Sequence, residues 1–125
     1  MNDQALDLRR RIFQAFAATG EPPSLEGVDP ALIEQLEQAH VIVRDAAGAI
    51  RMAHPFAAHE EGATVTDTET GRRWRGNCAW DAFGIAAALR FDAYTVESNG
   101  VTATDDALFH VEVPAARWWD DPAYT

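Results

Sequence analysis

Two residues in this chain have types and a spacing that can do chemistry together. They are Cys78 and Asp81, at the start of the alanine-rich stretch NCAWDAFGIAAALRF. That stretch is predicted to be a helix that begins at Asn77 as N-cap and is interrupted only by Gly84. Cys78 then falls in the first turn, and Asp81, three residues on, shares its face at roughly 5–6 Å between Cβ atoms. A first-turn thiol meets the positive end of the helix dipole and unpaired backbone N–H groups, both of which favour the thiolate. A thiolate attacks electrophiles and binds soft metals, and a carboxyl beside it can take the thiol proton and deliver it elsewhere. Arg72, Arg73 and Arg75, just upstream, add cationic potential if the segment before the helix folds back. The same pair has a plain structural explanation too. Free cysteine commonly fills a small apolar gap, and aspartate in a first turn complements the dipole. Spacing alone does not choose between the two.

The remaining polar and aromatic residues carry weaker signals. His40, His54, His59 and His110 show no metal-ligand spacing. His54 and His59 flank a loop and can pair with Glu60 or Glu61, and both read as solvated loop residues. His110 lies in an alternating strand and reads as a surface or packing residue. Trp74, Trp80, Phe83 and Trp118 are candidates for the lining of a substrate pocket, against the competing reading of a shared aromatic core. Asp120-Asp121 reads as a solvated acidic pair. No phosphate-cradling glycine loop and no Ser/His/Asp pattern is present.

The elements that must position the pair follow from periodicity and punctuation. Apolar residues at Leu6, Leu8, Ile12, Phe13, Phe16 and Ala17 predict an amphipathic helix from Asp3 to Ala18, stopped by Thr19-Gly20 and kept from restarting by Pro22-Pro23. Ser24 caps a short turn through Val28. Asp29-Pro30 then opens the helix ALIEQLEQAH. Val41–Arg44 and Ile50–Ala53 predict a hairpin around Asp45–Gly48. Three helical pieces and a hairpin outline a winged helix, over residues 1–57. Residues 58–125 predict a second hairpin in TVTDTETGRRWRG, the Cys78 helix, strands DAYTVES and GVTAT joined at Ser98-Asn99-Gly100, and a strand in ALFHVEV. The expected class is α+β: a winged-helix-like three-helix part with a hairpin, then a small mixed sheet packed on a helix.

Composition narrows the function. The chain of 125 residues carries a net charge of -10, with arginine as its only strong base. Docking on phosphates needs a basic face, and the helix in the recognition position carries Glu34 and Glu37 with no cation, so no nucleic-acid partner is expected. One cysteine allows no internal disulfide. No apolar run is long enough to span a bilayer, and the amino terminus lacks the pattern of a signal peptide, so a cytoplasmic location away from membranes is expected.

The stretch RRWRGNCAWDAFGIAAAL resembles the core segment of the alkylmercury (organomercurial) lyase family, in which a strand rich in arginine and aromatics leads into a helix opening Cys-Ala-x-Asp. The likeness extends back through IRMAHPF and the winged-helix region and forward through FHVEVPAARWWDD. It covers most of the chain, although only the segment around Cys78 is specific. The resemblance implies that Cys78 is the mercury-binding nucleophile, and that Asp81 handles the proton which replaces mercury on carbon. Hg(II) or another soft metal would be substrate or product, with no cofactor required. The family's catalytic set also contains a second cysteine, and this sequence has none. Two thiolates load the metal with electron density and make the carbon basic; one thiolate and one carboxylate suffice to bind. Three other functions remain open beside an organomercurial lyase. They are a binding protein for a soft metal or small organic ligand, a homologue doing lyase- or cyclase-type chemistry on another substrate, and a winged-helix regulator.

Overall fold

A computed structural model describes residues 1–104. Helix α1 (Asp3–Thr19) starts where the Asn2 side chain accepts the Ala5 backbone N–H at 2.8 Å. It ends where Gly20, in the left-handed region, returns its N–H to Phe16 O. Its buried stripe is Ala5, Leu8, Ile12 and Phe16, the spacing of a helix lying on a core. Helix α2 (Pro30–Gln38) starts at Asp29, whose side chain accepts the Ala31 N–H at 2.9 Å with Pro30 as the next residue, and it buries Ile33 and Leu36. Between these helices Ser24–Val28 makes a turn and not a third helix. The prolines at 22 and 23 donate no N–H, and too few residues remain before Asp29 to nucleate a helix. The amino-terminal part, expected to be winged-helix-like with three helices, contributes two.

The strands form one antiparallel sheet. They are β1 (Ile42–Arg44), β2 (Ile50–Ala53), β3 (Phe56–Ala57), β4 (Ala63–Asp67), β5 (Arg73–Gly76), β6 (Tyr94–Ser98) and β7 (Val101–Ala103), in the order β1-β2-β3-β5-β4-β6-β7. Every ladder is antiparallel, so the expected mixed sheet is corrected on this point while the α+β class stands. Short reversals explain the direction: each neighbouring pair made by a hairpin must be antiparallel. Ser98 pairs with Val101, which leaves Asn99-Gly100 as a two-residue turn with φ of 52° and 77°. Both angles suit the right-handed twist of a hairpin. The sheet is continuous between residues 57 and 58, because β3 pairs with β5 through Phe56 opposite Gly76.

Helix α3 (Ala79–Ala88) lies across β4, β5 and β6. Alternation on β4 puts Ala63, Val65 and Asp67 on the buried face, and α3 meets it with Ala82, Ile85 and Ala86. One apolar cluster runs from Leu8 and Ile12 on α1 to Ile85 on α3. At its centre the rings of Phe16 and Phe56 stack with centroids 5.2 Å apart. Among the described residues no helix is long and apolar enough to cross a membrane.

Candidate functional site

The approach to the site is set by two glycines. A Cβ on Gly76, the last residue of β5, would stand 2.7 Å from the Ala82 backbone N, so only glycine lets α3 pass this close to the strand. A Cβ on Gly62, just before β4, would meet Gly76 O at 2.0 Å. The chain thus turns straight from β5 into α3, and Asn77 and Cys78 make the corner.

The corner differs by one residue from its sequence reading. Cys78, with φ -150° and ψ 177°, is the N-cap, and the first helical bond runs from Ala82 N–H to Cys78 O at 3.0 Å. Asn77 sits one position outside the helix. Its Oδ1 is held instead by His59 Nε2 at 3.0 Å. Asp81 is therefore the residue of the first turn and Cys78 stands at its mouth.

The thiol is half-buried and faces the backbone N–H groups of Asp81 and Trp80, without a side-chain capping bond. Burial pushes the Cys78 thiol above its ordinary value. The N–H groups of Asp81 and Trp80 pull it down, the Asp81 carboxylate raises it, and the balance is upward. The expectation that the helix start favours the thiolate is thus corrected. Desolvation and the neighbouring carboxylate outweigh the helix N–H groups.

The upstream arginines are not among the groups that set this balance, and two of them have other neighbours. The Arg72 guanidinium lies 4.8 Å over the Trp74 ring and donates to Ala18 O. Arg75 faces Glu60 at 3.5 Å and Glu21 at 3.9 Å. Arg73 and Arg75 line a polar cleft of about 320 Å³ with Glu21, Glu60 and Thr64, at the end of α1.

Asp81 has a neighbour that the sequence did not suggest. His54, in the turn between β2 and β3, brings Nδ1 to 3.7 Å from Asp81 Oδ2; the side chains are 30% and 14% exposed. The reading of His54 as a solvated loop residue is corrected accordingly. No local signal in the sequence points to this contact, since it is the folding of the sheet that carries the turn against α3. His59 also leaves the solvated class: its Nδ1 accepts the Glu61 backbone N–H at 3.2 Å, while the Glu61 carboxylate reaches Arg51 at 3.2 Å.

The candidate pocket residues are dispersed. Trp74 is in the core, 4% exposed, with Nε1 donating to Phe16 O at 3.0 Å and its ring 5.0 Å from that of Phe91. Trp80 is on the outer side of α3 and 46% exposed. Phe83 is half-buried, edge-on to Tyr94 at 5.9 Å. Trp118, Trp119, His110 and Asp120-Asp121, with the strand expected in ALFHVEV, lie outside the described residues. Among the described residues no group of three or more His, Cys, Asp or Glu side chains is placed to hold a metal ion. What the structure assembles is a chain of three groups: thiol, carboxylate and imidazole. Comparisons with protein-family models, with characterised proteins and with solved structures return no match to this chain.

Proposed function

We propose that this protein is a distant relative of the alkylmercury lyases that captures an organomercurial, or another soft metal species, through the Cys78 sulfur. In this reading Asp81 handles the proton. The observation that carries it is the placement of Asp81 in the first turn of α3, against the half-buried thiol of Cys78, the residue at the N-cap position of the same helix. Support also comes from the partial burial of the Asp81 carboxylate, since a proton-transfer group must be shielded from competing water.

An organomercurial R–Hg–X meets the Cys78 thiol; the S–Hg bond forms, X leaves as an anion, and the thiol proton passes to the Asp81 carboxylate. In a second step the protonated Asp81 gives that proton to the carbon bound to mercury. The C–Hg bond breaks, its electron pair becomes the new C–H bond, and mercury stays on sulfur until an external thiol removes it. Capture needs only what Cys78 and Asp81 supply. The second step is slower with one thiolate than with two, because a single sulfur donates less density to the metal. Capture is thus the main activity expected, with cleavage following it slowly.

The test uses phenylmercuric acetate with excess external thiol. One equivalent should bind, binding should vanish in Cys78→Ser, and benzene should be released more slowly by Asp81→Asn than by the unaltered protein. Binding that survives Cys78→Ser overturns the reading. Capture with no benzene above the Cys78→Ser background would instead identify a holder of soft metals that does not cleave.

A further inference from the structure

We propose that His54 is the third residue of this site, a positioning residue that holds the Asp81 carboxylate at the mouth of α3. The inference deepens the functional reading above and rests on it in taking Asp81 as the proton-handling group. Three features of the structure carry it. The imidazole Nδ1 lies 3.7 Å from Asp81 Oδ2, longer than a hydrogen bond but within the range of an orienting electrostatic contact. The turn that bears His54 is anchored on both sides, by Ala53 (0% exposed) and by Phe56 (4% exposed), the latter stacked on Phe16. The turn is also seated on α3 itself. Pro55 packs at Gly84, where an added Cβ would stand 3.7 Å from the proline Cβ. Gly84 and Asp81 are three residues apart and share a helix face. The contact of Pro55 with Gly84 therefore places His54, the preceding residue, beside Asp81. The interruption of the alanine-rich helix by a glycine thus has a partner in the turn that presents the imidazole.

The role of His54 is to act through Asp81. Removing the ring leaves the carboxylate beside the sulfur free to change rotamer, so reactions at sulfur slow only while Asp81 is a carboxylate. The experiment is alkylation of the sole cysteine by iodoacetamide at fixed pH, with His54→Ala, His54→Asn, Asp81→Asn and the double variant His54→Ala/Asp81→Asn. Thermal unfolding of each confirms that it is folded. His54→Ala is expected to slow alkylation several-fold. His54→Asn, whose amide nitrogen falls near the Nδ1 position, should restore most of the rate. In the Asp81→Asn background His54→Ala should have no effect. An equal slowing in both backgrounds, or none in either, overturns the inference, and so does an Asn variant no better than Ala. The organomercurial titration does not enter this cycle. A protein that shows the coupling yet binds no mercurial refutes the functional reading and leaves the role of His54 standing.

Discussion

His59 and Asn77 are joined side chain to side chain at 3.0 Å, and the direction of that bond is set by a third group. His59 Nδ1 accepts the Glu61 backbone N–H, so the ring proton sits on Nε2 and is donated to Asn77 Oδ1. The loop between β3 and β4 is thereby tied to the residue that precedes Cys78. His59→Ala removes the donor and leaves a partly buried amide oxygen without it, at a cost of about 1 kcal/mol. Asn77→Ala should cost a similar amount, and the double variant clearly less than the sum. Urea midpoints of the four proteins check this; additive losses would show that the two side chains act independently.

The thiol makes stability depend on pH in a definite direction. Burial first, and the Asp81 charge with it, hold Cys78 above its ordinary value of 9.0 in the folded protein, against the pull of the helix N–H groups. As pH rises the unfolded chain loses its thiol proton first, so there the folded state binds more protons and stability falls. The contribution is present in full below the unfolded value and is lost as pH rises through the folded one. Cys78→Ser has no proton to lose and should show a flatter decline between about pH 8 and 10. Denaturant midpoints across that window are the measurement, and equal slopes in the two proteins would contradict it.

Two glycines on either side of Asp81 should respond oppositely to the same substitution. Gly76→Ala drives a methyl group to 2.7 Å from the Ala82 backbone N and must push α3 off the sheet, at a cost of about 3 kcal/mol. Gly84→Ala meets Pro55 at an ordinary contact distance of 3.7 Å and gains helix propensity, for a stabilisation of up to about 1 kcal/mol. Thermal melts distinguish the two. A Gly76→Ala protein as stable as the unaltered one would mean that the strand-to-helix corner is looser than its geometry.

The parts of this fold that could be read from sequence are those set by neighbours in the chain. Asp29-Pro30, the apolar stripe of α1 and the Asn99-Gly100 turn each contain their own cause, and each is found where its residues predict. The reading failed where a distant group took over a local one. Asn77 is as good a cap as its type suggests, but it sits one position outside the helix with its oxygen on His59, and Cys78 stands at the cap. In an exposed turn the helix dipole favours a reactive thiolate. Here the direction is reversed because packing of α3 on the sheet half-buries the sulfur beside a carboxylate. The upstream arginines were plausible companions until the alternation of β5 placed Trp74 inward and left Arg73 and Arg75 to line the cleft with Glu21 and Glu60. His54 was beyond local reasoning, since nothing near it in sequence announces a helix that forms later in the chain.

The single rung between Phe56 and Gly76, where β3 meets β5, has a consequence for inheritance. The imidazole comes from one side of that rung, and the thiol and carboxylate from the other. A gene fragment encoding only the later half would transmit the thiol and the carboxylate without the imidazole, and without Phe56, which stacks on Phe16. This site is not a portable module that recombination can graft onto another scaffold. It travels with the whole sheet.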